Sequence, residues 1–251
     1  MSETTERAEL GNLFIDSLRT YVVAFPRFAL VAILAHVPIM ALDAIDLARP
    51  PGDDAAALTQ LSTALGTLAL AITSAYVVPP VMLALGHRAA PTFAQTSKRI
   101  GSALVTAWVT NLVVGLGILC FIIPGVVLML WYCVAIPVSV AEGLGAGAAM
   151  ERSKTLTDGY RGTALLLSLG YGALLMAIIV VSVIPQMVFE FDAETTGTSV
   201  PIGMSIALAT VSTAVQALVV AFGSTLFTVF YARLRSIKDG IDVAAIADVF
   251  A

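Results

Sequence analysis

This chain is short of charge. Only 12% of its 251 residues are Asp, Glu, Lys or Arg, against 59% hydrophobic, where an ordinary soluble domain is about a quarter charged. That leaves too little polar side chain to cover a globule in water, and it excludes an ordinary soluble domain. A mean hydropathy of +0.95 fits a chain whose solvent is lipid. Cysteine and histidine are also scarce, two of each. Cys120 and Cys133 flank a Pro-Gly turn inside apolar sequence, and His36 and His87 have no Cys or His neighbour, so no zinc spacing and no disulfide framework is expected. Catalytic signatures are missing too: no Gly-x-Ser-x-Gly elbow, no His-Glu-x-x-His pair, no Walker loop and no carboxylate pair in mid-span. The expectation is a non-enzyme with no catalytic residue, no metal and no cofactor. The acidic, polar start, Met1 to Leu10, lacks the basic region of a cleavable signal, so the first span is expected to be retained.

What is present is apolar sequence in spanning lengths, spread along the whole chain. A membrane-crossing helix takes about 20 such residues. The runs are Phe28–Leu42 extended back through Tyr21–Phe25, Leu58–Val78, Ser102–Ile122, Val126–Ala141, Ala164–Val188 and Ile202–Tyr231. Between them lie breakers: Arg49-Pro50-Pro51-Gly52, Gly86–Pro91, Pro124-Gly125, Gly143–Gly147 and Thr195–Pro201. The third and fourth runs form a tight hairpin through Ile123-Pro124-Gly125. Pro79-Pro80 predicts a kink or an early stop at the end of the second. The sixth run is longer than a bilayer needs, so it tilts or emerges before Arg233. The reading is a single all-α transmembrane domain over 1–251, polytopic with six transmembrane helices and a short cytoplasmic tail at 241–251.

The cations orient it. Arg7, Arg19, Arg27, Arg88, Lys98, Arg99, Arg152, Lys154, Arg161, Arg233, Arg235 and Lys238 fall on one side of a six-span arrangement, and Arg49 on the other. The opposite gaps hold Asp43, Asp46, Asp53, Asp54, Glu190, Asp192 and Glu194. Cation placement sets topology, so both termini are expected to be cytoplasmic.

Three stretches have the pattern of amphipathic helices lying in the headgroup layer. In Glu9–Phe25, Leu10, Leu13, Phe14, Leu18, Tyr21 and Val22 oppose Asn12, Asp16 and Arg19. Phe93, Ile100 and Leu104 oppose Gln95, Lys98 and Arg99. Ala149, Leu156 and Tyr160 oppose Glu151, Arg152 and Asp158. The text also recurs: Pro80-Val81 leads to Ser97-Lys98 as Pro137-Val138 leads to Ser153-Lys154, and the spans that follow end at Ile123-Pro124 and Ile184-Pro185, with a fainter copy from Ser17 and Arg19 to Pro38. This predicts a threefold internal repeat of interfacial helix plus two-span hairpin, with units near 9–86, 87–143 and 144–240.

Among the polar residues inside spans, His36 in the first, Asn111 in the third and Gln216 in the sixth are singled out. Such groups are costly in lipid, which makes each a functional candidate, although Asn and Gln also join helices. Ser205, Ala209, Thr213, Ala217 and Ala221 recur every four residues, a close-packing stripe for an internal seam or a dimer face. The densest polar cluster is Glu142, Glu151, Arg152, Lys154, Asp158 and Arg161. It reads as an ion-paired clasp about Glu142, as a holder of lipid phosphates, or both.

Ile122-Ile123-Pro124-Gly125-Val126-Val127-Leu128, Ala135-Ile136-Pro137-Val138, Glu142-Gly143 and the run Glu151-Arg152-Ser153-Lys154-Thr155-Leu156-Thr157-Asp158-Gly159-Tyr160-Arg161 resemble bacterial membrane proteins grouped with the membrane domain of glycerophosphoryl diester phosphodiesterases. Tyr231-Ala232-Arg233-Leu234-Arg235 with Lys238 and Gly240 is similar to that group's ending, and the likeness covers about Val77 to Gly240. The resemblance implies a mostly uncharacterised protein of the bacterial inner membrane. Phosphodiesterase chemistry in that family sits on a separate soluble domain, so the activity does not carry over.

The function expected from the sequence is therefore non-enzymatic. Lys98, Arg99, Arg152, Lys154 and Arg161, with Glu142 setting the local geometry, engage anionic lipid headgroups, a membrane protein partner or a second copy of the chain, and nucleic acid is not a partner. The alternatives are a small permease for a lipid-like or amphipathic solute, for which His36, Asn111 and Gln216 must face one space, and a structural subunit of a larger complex.

Overall fold

The computed structural model describes residues 3–48, 55–87, 90–196 and 201–239. The gap residues Arg49, Asp53, Asp54 and Arg88 and the tail 241–251 lie outside them. The described residues form α1 (Glu3–Val23), α2 (Phe25–Ala48), α3 (Ala55–Ala84), α4 (Phe93–Cys120), α5 (Ile122–Tyr132), α6 (Ala135–Glu142), α7 (Ala146–Thr157), α8 (Arg161–Thr196) and α9 (Ile202–Asp239). Six segments are long and apolar enough to cross a membrane: Phe25–Ala48, Ala57–Ala84, Phe93–Cys120, Ile122–Glu142, Arg161–Val181 and Ile202–Asp239. The chain is a polytopic, all-α membrane protein. Its outer surface bears large apolar side chains such as Leu30, Leu34, Leu112, Leu119 and Val181, which suits a bundle solvated by lipid.

Several boundaries differ from expectation. The first span begins at Phe25, because a turn at Ala24 separates it from α1. Pro26 is the second residue of α2, where a missing N–H costs nothing. Pro79 and Pro80 do not stop α3, which runs on to Ala84. Val77, Val78, Val81 and Met82 are completely buried there, and their packing holds the turn helical although two donors are lost. Ile184-Pro185 likewise lies inside α8, and so does the stretch with Glu190, Asp192 and Glu194. The turn of the α4–α5 hairpin is not Ile123-Pro124-Gly125 but Phe121 alone (φ −159°, ψ 136°); Pro124 falls in the first turn of α5. The fourth span is two helices, broken at Cys133-Val134. Pro137 gives the reason, since it has no N–H for the Cys133 carbonyl and its ring would collide with that group.

The stretch about Lys98 and Arg99 is the first part of α4, which starts at a Thr92–Gln95 capping box and continues unbroken into the span. In contrast α7 is separate, closed after Thr157 by Gly159 at φ +83°. Ser97 is exposed and Ser153 buried, so the two Ser-Lys pairs sit in different surroundings.

The densest packing lies where α3, α6, α7 and α9 converge. Tyr231, Phe230, Leu226, Met82, Val138, Val140 and Leu156 are all nearly or wholly inaccessible there. From α1, Leu13, Ser17 and Tyr21 turn inward at four-residue intervals while Leu18 and Val22 stay exposed. Tyr21 packs on Phe222 with ring centroids 5.5 Å apart, and its hydroxyl donates to Leu218 O at 2.9 Å.

Candidate functional site

Chemistry-bearing side chains gather in two places, one at each end of the bundle. The basic end holds the expected cations, and most are engaged by the protein itself. Arg152, on α7, donates through Nη2 to Asp239 Oδ1 at 2.8 Å and Oδ2 at 2.6 Å, and through Nε to Glu142 Oε1 at 3.4 Å. The same Glu142 Oε1 accepts from Tyr231 Oη at 2.9 Å, and Arg235 Nη1 donates to Tyr231 Oη at 3.4 Å. The clasp about Glu142 therefore exists, and it joins α6, α7 and α9. The Asp239 hydrogen bonds, then the Glu142 charge, raise the pKa of the Arg152 guanidinium above its ordinary value. Nearby, burial and then the Arg235 charge hold His87 below the usual imidazole range.

Arg99 has a different task. Its Nη1 donates to Val140 O at 2.8 Å and Ala141 O at 3.0 Å. It caps the last carbonyls of α6, where a cation also meets the negative end of the helix dipole. Gly143, the αL residue that ends α6 (φ +71°), lies under this guanidinium; a Cβ there would come within 3.0 Å of Arg99 Cζ. Lys98 is exposed. Lys154 Nζ sits 4.3 Å from the centroid of the Trp131 ring and Arg161 Cζ 5.6 Å from it, while Arg161 also pairs with Asp158 at 2.8 Å. These last two cations remain largely exposed. Trp131 Nε1 is buried and has no hydrogen-bond partner among the described residues.

The opposite end is open. A cavity of about 570 Å³ lies between α2, α3 and α9, lined by His36, Ile39, Asp43, Asp46 and Leu47 of α2, Ser62 and Gly66 of α3, and Ser205, Leu208, Ala209, Ser212, Thr213, Gln216 and Val220 of α9. Ten residues separate Asp46, at the mouth, from His36, so at 1.5 Å per residue the cavity reaches about 15 Å down α2, close to the middle of that span. Thr213 Oγ1 donates to Asp43 Oδ2 at 3.0 Å. His36 is 6% exposed, with Nδ1 2.7 Å from Ala32 O. Below His36 the helices close: Ala32, Ala217 and Ala221 have no accessible surface, and Phe28 packs against Tyr21 a turn further down. The four-residue stripe of α9 thus lines the cavity with Ser205, Ala209 and Thr213, then becomes an internal seam with Ala217 and Ala221.

Of the three intramembrane polar candidates, His36 and Gln216 meet in this cavity. Asn111 does not; it is exposed on α4 beside exposed Leu112, so the expectation that all three face one space is met by His36 and Gln216 only. Asp43, Ser212 and Thr213 were not singled out by the sequence as site residues. The signal was there: Asp43 follows His36 by seven residues, two helical turns, and Ser205, Ser212 and Gln216 share one face of α9. Asp239 and Tyr231 were missed in the same way, although Tyr231, Arg235 and Asp239 are spaced by four. No group of His, Cys, Asp and Glu among the described residues is arranged to hold a metal ion. Comparison of the chain with known protein families, with curated proteins and with solved structures gave no match.

Proposed function

We propose that this chain is a non-enzymatic membrane protein of the small-permease class, which takes an amphipathic solute into the cavity between α2, α3 and α9. One observation carries the reading: a polar-lined cavity of about 570 Å³ descends to mid-span between helices that close tightly beneath it. Its volume lies in the range of small-molecule sites, and an ionisable group such as His36 at that depth is a functional candidate. The bacterial inner membrane, the threefold repeat and kinship with the phosphodiesterase-associated membrane domains belong to the same proposal, without the enzymatic activity.

The test is mild detergent extraction followed by mass spectrometry of what stays bound. Ser212→Trp fills the cavity, so a small molecule retained by the wild-type chain should be absent from the variant. Identical retention by both chains would leave the cavity without a role in binding. The same measurement examines a second reading, favoured by the exposed Lys154 and Arg161 over Trp131: that the basic end holds lipid phosphates. Lys154→Glu with Arg161→Glu should then lower anionic-lipid retention severalfold, each phosphate contact being a charge-assisted hydrogen bond. Unchanged lipid content would end that reading.

Orientation is checked independently. With both termini cytoplasmic, the cavity mouth faces the other side, and reporter fusions after Pro51 and after Thr198 should both register as non-cytoplasmic. A cytoplasmic signal at either position would overturn the topology.

A further inference from the structure

The cavity carries acidic charge, and the donors on its wall that are not already engaged, the Ser62 and Ser205 hydroxyls and the Gln216 amide, are all neutral. Asp43 and Asp46 bring two carboxylates, and no described Lys or Arg lines it. Thr213 Oγ1 gives its proton to Asp43 Oδ2 at 3.0 Å, and Ser212 Oγ gives its own to Ala209 O at 2.8 Å; both hydroxyls keep lone pairs to offer. Ala32 O, 2.7 Å from His36 Nδ1, can only accept, so Nδ1 carries a proton and the neutral ring leaves Nε2 as an acceptor. His36 is more than nine-tenths buried, and Nε2 has no partner among the described residues.

The described cations of the same helices are remote. Arg27 lies nine residues below His36 on α2 and Arg233 seventeen beyond Gln216 on α9, about 13 and 25 Å along the axes at 1.5 Å per residue. A half-buried carboxylate between membrane-spanning helices, answered among the described residues by one neutral hydroxyl, draws positive charge. A bare ion does not use about 570 Å³, whereas a small organic molecule does. Ile39, Leu208 and Val220 add apolar wall for a hydrocarbon body.

We propose that the cavity selects an organic ammonium solute, its charged nitrogen held at Asp43 and Asp46 and its body reaching toward His36 and Gln216. This rests on the solute-binding reading above and narrows it to one chemical class; two carboxylates repel an anionic solute from the same space.

The test measures charge selection without knowing the natural solute. In a chain carrying Cys120→Ala and Cys133→Ala, Ser212→Cys puts a near-isosteric thiol in the cavity. Two membrane-impermeant methanethiosulfonates, one bearing trimethylammonium and one sulfonate, are compared on the folded protein, each rate normalised to reaction with 2-mercaptoethanol. Two carboxylates within the cavity should favour the cationic reagent by about tenfold or more. Asp43→Asn with Asp46→Asn should bring the ratio to within about threefold of unity, and benzyltrimethylammonium should slow labelling of the variant that keeps both carboxylates. Equal rates for the two reagents, or faster reaction with the sulfonate, would overturn the ammonium assignment while leaving an accessible solute cavity. Failure of both reagents to react until the protein is unfolded would instead overturn the solute-binding reading itself.

Discussion

Gly125→Val is expected to wedge the α4–α5 hairpin apart and lower the thermal midpoint in detergent by about 10 °C. Phe121 is the only non-helical residue between the two helices, so they meet at once, backbone against backbone. A Cβ at Gly125 would lie 2.6 Å from Ile118 Cα, and one at Gly117 would lie 3.0 Å from Gly125 Cα. Backbone atoms fixed in a helix cannot give way as the end of a side chain can. Overpacking of ordinary core sites costs about 1–3 kcal/mol; a branched side chain against backbone sits at or above the top of that range. At about 2–4 °C per kcal/mol for a chain of this size, the midpoint falls accordingly. Gly101→Ala supplies the contrast. Nothing lies within 4 Å of a Cβ there, and alanine in a helix gains about 0.5–1 kcal/mol over glycine, so its midpoint should hold or rise slightly. Fluorescence-detected size-exclusion after heating measures both. A Gly125→Val midpoint within about 2 °C of wild type would mean the hairpin is not packed this closely.

The hairpin shows what was legible in the sequence and what was not. Six apolar runs of spanning length could be counted directly, because lipid demands continuous helices and tolerates few charges. Their ends could not be read from proline alone. Pro79-Pro80 and Pro185 look like stops, yet α3 and α8 pass through them. In membrane proteins neighbouring helices can satisfy the freed carbonyls, and buried Val77, Val78 and Met82 hold the α3 turn in place. Pro137 looked like an ordinary resident of the fourth span, yet the helix breaks four residues before it. Local sequence states the lost donor; only tertiary packing decides whether the loss breaks the helix.

Sites divide along similar lines. His36 and Gln216 were visible because any polar group in mid-span stands out. Asn111 stood out equally, but one residue does not report which face of a helix turns inward. Asp43 was obscured for the opposite reason, since an acid near a span's end reads as loop. Among the cations, sequence can place charge on one side of the membrane but cannot reveal long-range engagements. Arg99 caps carbonyls of residues 41 and 42 positions away, and nothing in its own neighbourhood distinguishes it from Lys98, which stays exposed. Glu142 was recognised as a clasp because Arg152 follows ten residues later on the next helix. Its other partner, Tyr231, comes from the far end of the chain.

That long-range partner makes Glu142→Ala the second large effect, a loss of about 2–3 kcal/mol and a midpoint about 5–10 °C lower. Glu142 Oε1 accepts at 2.9 Å from Tyr231 Oη, and its carboxylate lies 3.4 Å from Arg152 Nε. Hydrogen bonds to charged groups contribute about 1.5–3 kcal/mol each when made. The Arg152 and Glu142 side chains are 28% and 18% exposed, so solvent screens part of the ionic term and the fully buried figure does not apply. Tyr231 has no such relief. It is completely buried, and without Glu142 its hydroxyl proton has no acceptor, while Arg152 falls back on Asp239. Glu142→Gln separates the two losses: an amide oxygen still accepts from Tyr231, so only the ionic attraction to Arg152 is removed and the drop should be about half. Tyr231→Phe combined with Glu142→Ala should then fall short of the sum of the single losses by about 1 kcal/mol, because both remove the same bond. Strict additivity would show that the tyrosine and the glutamate do not act together. The clasp would then reduce to the Arg152 ion pairs, and α6 would be joined to α9 only through Arg152 and apolar packing.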